Sequence, residues 1–388
     1  MTMRARTMKY LLLIALAVAC KAEPPRGPAP KSPSPAYSLG VVTTEVVATG
    51  LEHPWAIALM SDGRMLVTER PGRLRVVSRE GVLSPPVAGV PHVFALGQGG
   101  LLDVALDPEF DTNHIMYLSF AEPADDGKAA GTAVVRALFA DSALRNVRVI
   151  YRQDPKVVSD AHFGSRIAFR RDGTMFITQG ERYSYRDRAQ DLGSDLGKVV
   201  RINRDGSIPR DNPFVGRNDV LPEIWSYGHR NVQAAAVDPN TDQLWTVEHG
   251  ARGGDELNHP EAGRNYGWPV ITYGIDYNGR RIGTGAVKDG MEQPVYYWDP
   301  VIAPSGMAFY ESDRIPGWKG SILVGGLASN ALVRLELANG RVVKEERYLG
   351  ELHERIRDVQ VSADGVVYVV TDEDKGRILR VVPVSKPR

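Results

Sequence analysis

Residues 172–178, DGTMFIT, place an Asp-Gly turn directly before a short apolar strand. Asp-Gly readily takes the positive φ angles of a tight hairpin, and the residues after it favour strands. The arrangement recurs at 62–68, as DGRMLVT, and at 364–371, as DGVVYVVT. A turn and a strand that repeat in this way predict a fold built from copies of one β unit.

Three further units carry a different turn before the strand. Asp-Pro at 107–108 precedes IMYLSF, Asp-Pro at 238–239 precedes QLWTV, and GWKG at 317–320 precedes SILV. Successive units start about 45 to 80 residues apart, which leaves room for four short strands in each. Repeats of four strands are typical of β-propeller blades.

These six units predict an all-β, six-bladed β-propeller with four-stranded antiparallel blades. Residues 41–47, VVTTEVV, form a strand that we expect to close the ring beside the last blade. Binding residues concentrate on loops, so the predicted ligand site lies where the blade loops converge, at the mouth of the central channel. An array of β-sandwiches is the competing architecture.

The composition is that of a folded protein without a strongly charged surface. The chain has 388 residues, of which 43% are hydrophobic and 24% charged, enough for a large core. Lys and Arg together number 47, as do Asp and Glu, and a net charge of zero argues against a nucleic-acid partner. The chain has a single cysteine, so it can form no internal disulfide.

Residues 1–20 have the pattern of an export signal, with basic residues before a short apolar run that ends at Cys20. Cys20 resembles the lipid-attachment cysteine of a bacterial lipobox, and ordinary cleavage near Ala19 is the alternative. A Pro-rich tether over 21–38 is expected to be extended and to hold the folded domain away from a membrane. A single propeller domain follows over 39–385. We therefore expect an exported protein, either periplasmic or held in the cell envelope by lipidated Cys20.

Six loop segments combine glycine with polar residues in an unusual way. A lone His or Arg in a loop is more often solvated or structural, so each segment alone is a weak signal. Together, in this order on a repeated β scaffold, they are specific. The segments are GQGGLLD at 97–103, HFGSR at 162–166, YGHRN at 227–231, EHGARGGDE at 248–256, RNYGWP at 264–269 and RIRDV at 355–359.

With these motifs the chain resembles the soluble quinoprotein aldose (glucose) dehydrogenases, especially their bacterial aldose sugar dehydrogenase branch, from residue 51 to residue 382. The resemblance implies oxidation of aldose sugars at C1 to the lactone, by hydride transfer to pyrroloquinoline quinone (PQQ) with calcium. The electron acceptor that reoxidises the cofactor would be a cytochrome or a quinone.

The resemblance also implies roles for single residues. His162 matches the general base, since an imidazole can accept a proton at neutral pH. Glu181 matches the carboxylate that orients this base. Arg230 matches a group beside the C5 oxygen of PQQ, where negative charge develops.

The PQQ site implied by the resemblance is rich in hydrogen-bond donors, as a tricarboxylate requires. The implied cofactor-binding residues are Gln98, Arg230, Asn231, Tyr277, Arg355 and Arg357. The chain departs from the family at Ala328, where the relatives carry a lysine against PQQ. We expect this departure to weaken PQQ binding, unless another cation, such as Arg334 or Lys375, fills the role.

Two calcium sites are implied. One ion would bind the carbonyls of Gly250 and Ala251 and also PQQ, and a second, structural ion would bind Glu256 and the carbonyl of Tyr266. The sequence contains neither a CxxC nor an HExxH pattern, so zinc is not indicated.

Two other functions are compatible with a propeller. One is a non-enzymatic propeller that binds carbohydrate or protein, and the other is a lactonase-type hydrolase that uses calcium without PQQ. The retention of His162, Arg230, Asn231, Arg355 and Arg357 favours the dehydrogenase, while Ala328 is the main point for the non-enzymatic alternative.

Overall fold

The structure, a computed structural model, describes residues 28–32, 38 and 41–384. The predicted export signal, Cys20 and most of the predicted tether lie outside these residues. Within them, no helix has the length and apolar character needed to cross a membrane.

Six antiparallel sheets, one for each predicted unit, form the ring of a β-propeller. Blade 1 consists of β2 (Pro54–Leu59), β3 (Met65–Glu69) and β4 (Arg73–Val77). Blade 2 consists of β5 (Leu101–Leu106), β6 (Ile115–Pro123), β7 (Ala130–Ala140) and β8 (Ala143–Arg152). Blade 3 consists of β9 (Ile167–Phe169), β10 (Thr174–Thr178), β11 (Lys198–Asn203) and β12 (Ile224–Tyr227).

The other three blades have four strands each. Blade 4 consists of β13 (Val232–Val237), β14 (Leu244–Glu248), β15 (Asp255–Asn258) and β16 (Tyr296–Trp298). Blade 5 consists of β17 (Pro304–Tyr310), β18 (Ser321–Gly326), β19 (Ala331–Ala338) and β20 (Arg341–Tyr348). Blade 6 consists of β21 (Ile356–Val361), β22 (Val367–Thr371), β23 (Gly376–Pro383) and β1 (Val42–Leu51). Among the described residues, helix is confined to one turn, α1 (Phe110–Asn113), and two short 3-10 segments, Arg186–Gln190 and Gly350–Leu352.

The predicted six-bladed propeller is confirmed, and so is the closing strand. β1 pairs antiparallel with β23, with Glu45 opposite Arg380, and the two side chains form an ion pair. Joining the first strand to the last blade leaves no open end in the ring. In blade 1 the fourth strand is reduced to a single bridge between Val77 and Leu83.

Every turn-and-strand unit of the sequence becomes the second strand of a blade: β3, β6, β10, β14, β18 and β22. The turn aspartate stabilises the hairpin that enters the strand: Asp172 Oδ1 accepts a hydrogen bond of 2.9 Å from the backbone N–H of Thr174. The first strand of each blade lies innermost, and these strands contact one another around the ring. Because neighbouring strands are antiparallel, loops before a first strand and after a second strand meet at the same end of the channel.

Part of the predicted tether pairs with the propeller. Ser32 N–H donates to the carbonyl of Tyr297 at 2.8 Å, and Tyr297 N–H donates to the carbonyl of Pro30 at 3.2 Å. Ala29 N–H donates to Tyr273 Oη at 2.7 Å. This stretch is extended, as predicted. It lies along the edge of blade 4, so this part of the predicted tether is bound to the domain. That the tether holds the domain away from a membrane stays a prediction.

Candidate active site

The channel end where these loops meet holds a cavity of about 420 Å³, and all six blades contribute to its lining. This is the predicted position of the ligand site. Its charged and amide side chains include Arg70, Gln98, Gln233, Arg355, Arg357 and Asp372.

His162 lies beside this cavity, in the loop before β9. Its Nδ1 is 2.6 Å from Oε2 of Glu181, and its backbone N–H donates to Oε1 of Gln98 at 2.8 Å. The His162 side chain is buried, and the Glu181 carboxylate is buried with it. A carboxylate can only accept a hydrogen bond, so Nδ1 carries the proton and Nε2 is left as the basic atom.

The contact between the two loops depends on Gly180. A Cβ at this position would lie 2.1 Å from the carbonyl oxygen of His162, so only glycine fits. Gly180 also forms a β-bridge to Asn231, and the N–H of Glu181 donates to the carbonyl of Arg230 at 2.8 Å. The Gly180 segment therefore holds the loop of His162, the predicted base, beside the predicted cofactor contacts.

Arg182 contacts both neighbours of His162 in this loop, Ala161 and Phe163. Its guanidinium donates to the carbonyls of Ala161 at 2.8 Å and Ala130 at 3.0 Å, and lies 3.5 Å from the centre of the Phe163 ring. Burial lowers the pKa of Arg182 to about 9, which leaves it charged at neutral pH. These contacts fix the backbone around His162.

The electrostatic surroundings keep His162 neutral at physiological pH. Burial lowers the pKa of His162 below its usual value, and the Glu181 carboxylate opposes this shift. The guanidinium groups of Arg230 and Arg182 lower the pKa further. A neutral imidazole is the form that can accept a proton.

Arg230, between β12 and β13, contacts the residues at the end of β14. Its backbone N–H donates to Glu248 at 2.6 Å, and its Nη1 donates to the carbonyl of His249 at 3.2 Å and to that of Gly250. Tyr277 Oη lies 3.5 Å from Nη2 of Arg230. With Glu181 and Trp268, Arg230 and Tyr277 line a second cavity of about 270 Å³, although Tyr277 is 58% exposed.

Arg355 and Arg357 share one partner, as their spacing of two residues predicts for a strand. Arg357 is buried and bonds to Asp372, and Arg355 Nη2 lies 3.5 Å from the same carboxylate. Burial disfavours the charged form of Asp372, but the two guanidinium groups outweigh it and lower the pKa of Asp372 to about 2. The two arginines therefore line the cavity while the ionised Asp372 carboxylate holds their guanidinium groups in place.

Several buried donors around the two cavities have no hydrogen-bond partner among the described residues. They are Arg70 Nε, Arg230 Nε, Asn231 Nδ2 and Arg357 Nε. A buried donor without a partner is costly, so a cluster of them indicates a ligand that accepts hydrogen bonds. A planar tricarboxylate such as PQQ fits this donor set.

The two residues whose carbonyls are predicted to hold calcium lie next to Arg230 and the smaller cavity. Gly250 accepts a hydrogen bond from the Arg230 guanidinium, and Ala251 lines the smaller cavity. Carbonyl oxygens are ligands that calcium accepts, and the Gly250 carbonyl would exchange its Arg230 donor for the ion. Within the described part of the chain, no group of three or more His, Cys, Asp or Glu side chains could hold a metal ion.

The residues of the predicted structural calcium site line neither of the two cavities. Glu256, on β15, receives a hydrogen bond of 3.1 Å from Asn258. Burial and the neighbouring Glu248 raise its pKa well above the usual value. Tyr266 is buried and stacks on His229 at 4.8 Å. Two buried carboxylates in one place are an environment that a divalent cation would stabilise.

Sequence reasoning missed several residues of the larger cavity. Gln233 lies two residues after Asn231 on the same strand face, and His249 lies within a quoted motif, so both could have been found. His249 Nε2–H donates to the carbonyl of Pro304 at 2.7 Å, and burial lowers the pKa of His249 to about 3. Arg70 and Asp372 follow second strands, and no motif marked them.

Ala328 is exposed, but its neighbour Leu327 lines the larger cavity. Two cations were suggested as substitutes for the missing lysine. The suggestion of Arg334 is wrong, because this residue lies on β19, where it donates to Ser321 at 2.9 Å and pairs with Glu346. Lys375 is exposed in the turn after β22, outside the lining of the cavity.

Comparisons with known proteins agree on one family. The family model described as glucose/sorbosone dehydrogenase matches residues 51–380. An aldose sugar dehydrogenase of Escherichia coli is 45% identical over 347 residues, which cover 88% of this chain and 93% of the relative.

Solved structures show the same likeness. A glucose dehydrogenase is 48% identical, with a TM-score of 0.85, over 89% of this chain and 100% of that one. The PQQ-bound form of an aldose sugar dehydrogenase from Streptomyces coelicolor is 29% identical, with a TM-score of 0.74, over 89% of this chain and 99% of that one.

Proposed function

This chain belongs to the glucose/sorbosone dehydrogenase family of sugar oxidoreductases, and from that premise we propose that it oxidises aldoses at C1 to the lactone with PQQ and calcium. The observation that carries the proposal is the buried His162–Glu181 pair beside a cluster of donors that have no partner within the described part of the chain. The relative whose structure contains PQQ supports the choice of cofactor. When bound, PQQ supplies the hydride acceptor and calcium polarises it.

His162 acts as the base in this proposal. Its Nε2 accepts the proton of the C1 hydroxyl, while its Nδ1–H keeps donating a hydrogen bond to Glu181. As the ring becomes an imidazolium, the carboxylate stabilises the new charge. The hydrogen bond from His162 N–H to Gln98 keeps the loop in place during the transfer.

The arginines bind and orient the cofactor. Arg355 and Arg357 line the larger cavity with Asp372 behind them, and they would hold carboxylates of PQQ. Arg230 and Asn231 would hold its quinone end, since both lie next to the Gly180 segment that carries Glu181. The carbonyls of Gly250 and Ala251 would hold the calcium ion at PQQ, and Glu256 and Tyr266 the structural one.

Reconstitution tests the proposal directly. Purified protein is mixed with PQQ and Ca²⁺, and reduction of an artificial dye is followed with a panel of aldoses. We expect activity that requires both additions and extends over several aldoses, because hydroxyl patterns differ little between these sugars. Glu181→Gln and His162→Ala proteins serve as catalytic controls. Dye reduction that is absent with every sugar, or unchanged when PQQ is left out, would contradict the proposal.

We also propose that the protein is exported and held in the cell envelope by a lipid on Cys20, and that a cytochrome or quinone there reoxidises it. The sequence pattern of residues 1–20 supports export. Metabolic labelling with a fatty acid, compared between the natural chain and Cys20→Ala, tests the anchor. Equal labelling of both proteins would argue against it.

A further inference from the structure

The larger cavity has a third arginine beside Arg355 and Arg357. Arg70 directly follows β3, in blade 1, which neighbours the blade that carries the other two. Its guanidinium is close enough to Arg357 and Asp372 to lower the pKa of each. Three arginines from two adjacent blades therefore share one wall of the cavity.

Arg70 differs from its neighbours in how it is held. Arg355 and Arg357 both contact Asp372. Arg70 instead donates from Nη1 to the carbonyl of Gly97 at 2.6 Å, and its Nε is buried without a hydrogen-bond partner among the described residues. Its positive charge is therefore balanced less directly than theirs, and like Arg357 it keeps a buried Nε donor without a partner among the described residues.

An arginine in this state is suited to an anionic ligand. Desolvating a donor without giving it a partner costs free energy, and a carboxylate would restore the missing bond with charge assistance. Asp372 already serves two arginines, and Glu373, the other carboxylate of the lining, accepts from the backbone N–H of Arg355 at 3.4 Å. The three guanidinium groups therefore outnumber the two carboxylates of the lining, and both carboxylates are already engaged.

We propose that Arg70 is a PQQ-binding residue that holds a carboxylate of the cofactor from blade 1. This rests on the proposed function and extends it to a residue that the motifs do not include. It also accounts for the departure at Ala328: the cation that blade 5 lacks is supplied by Arg70, while Arg334 and Lys375 lie elsewhere.

Arg70 also connects the cofactor to the catalytic loop. The Gly97 carbonyl that it holds directly precedes Gln98, whose Oε1 accepts from the N–H of His162. Arg70 is thus linked to the base through two hydrogen bonds and the Gly97–Gln98 backbone. A direct role in binding predicts a higher Kd for PQQ when Arg70 is replaced, whereas a positioning role alone predicts lower turnover with an unchanged Kd.

The test is equilibrium binding of PQQ to the calcium-loaded apo-protein without sugar, followed by quenching of tryptophan fluorescence. Arg70→Gln should raise the Kd for PQQ by about one to two decades, the value of one charge-assisted hydrogen bond. Arg70→Met keeps the aliphatic stem and should do the same, which guards against a folding defect of the first variant. Arg64→Gln, on the exposed hairpin of the same blade, removes the same charge and should leave the Kd unchanged.

Three outcomes separate the possibilities. Folded Arg70→Gln or Arg70→Met protein with a wild-type Kd for PQQ would overturn this inference alone. Lower turnover with an unchanged Kd would show that Arg70 only positions Gln98, which also overturns it. Wild-type protein that fails to bind PQQ in the presence of calcium would overturn the proposed function, and this inference with it.

Discussion

Nδ1 of His162 lies 2.6 Å from Oε2 of Glu181, and both side chains are almost fully buried beside the mouth of the channel. The pair leaves Nε2 as the free basic atom, in a ring that burial keeps neutral. In the proposed reaction, proton acceptance and cofactor binding fall to different residues, so variants should separate them.

His162→Ala should abolish sugar oxidation and leave PQQ binding largely intact. A positioned base contributes about 10²–10⁴-fold in rate, whereas the donors suited to PQQ lie on the arginines and Asn231. Steady-state dye reduction and a PQQ titration on the same sample make the comparison. Turnover near that of the wild type would remove His162 from the mechanism.

Glu181→Gln should change the pH profile as well as the rate. The base works when neutral, so activity rises with pH through the pKa of His162, which burial places below its usual value. The Glu181 carboxylate opposes that shift, and without it the pKa falls further. The acid limb of kcat/KM should therefore move to lower pH, while the plateau falls at least about tenfold because the imidazolium loses its partner. A limb that stays in place, or moves to higher pH, would show that Glu181 does not act on His162.

Chelation should remove activity and lower thermal stability, and Ca²⁺ should restore both. An ion that binds only the folded protein stabilises it by mass action. The buried Glu256 beside Glu248 should make this effect larger, since two carboxylates close together are costly without a cation. Thermal melting with EDTA and after addition of Ca²⁺ tests this. If exhaustive EDTA treatment left both the melting temperature and the activity unchanged, both calcium sites would be refuted.

The edge pairing of residues 28–32 should stabilise blade 4. A protein that begins at residue 41 loses the hydrogen bonds to Tyr297 and Tyr273 that one beginning at residue 28 keeps. Backbone bonds contribute about 0.5–1.5 kcal/mol each, so the shorter protein should melt a few degrees lower. Lys31→Ala is the matched control, because its ion pair with Asp299 is exposed and worth little. Identical melting of the two truncated proteins would show that the pairing carries no stability.

The fold could be predicted because its signal is local. Each Asp-Gly or Asp-Pro turn precedes the second strand of a blade, and the turn carboxylate bonds within the same hairpin. The strand at 41–47 was predictable for the same reason, although its pairing with β23 spans the chain.

The site was predictable only where a motif marks it. His162, Glu181, Arg230, Arg355 and Arg357 lie in or near quoted segments, and the fold brings them to one end of the channel. Arg70 could not be found in this way, because its place depends on which blade neighbours blade 6 in the closed ring. The pairing of residues 28–32 was missed because a Pro-rich composition reports an extended backbone and not its partner.

Ala328→Lys links these points in a last prediction. Ala328 is exposed beside Leu327, which lines the larger cavity, so a lysine there can extend its ammonium group toward bound PQQ. If Arg70 already supplies the cation, the substitution should tighten PQQ binding by less than about tenfold in the natural chain. In the Arg70→Gln background the gain should be larger, up to the one to two decades of a full charge-assisted hydrogen bond.

Four Kd values form a double-mutant cycle, in which residues that serve the same ligand group are non-additive. Turnover should change little, because a charge on a remote carboxylate acts on ground and transition states alike. Equal gains in both backgrounds would mean that Ala328 and Arg70 contribute independently, and that the missing lysine is not replaced from blade 1.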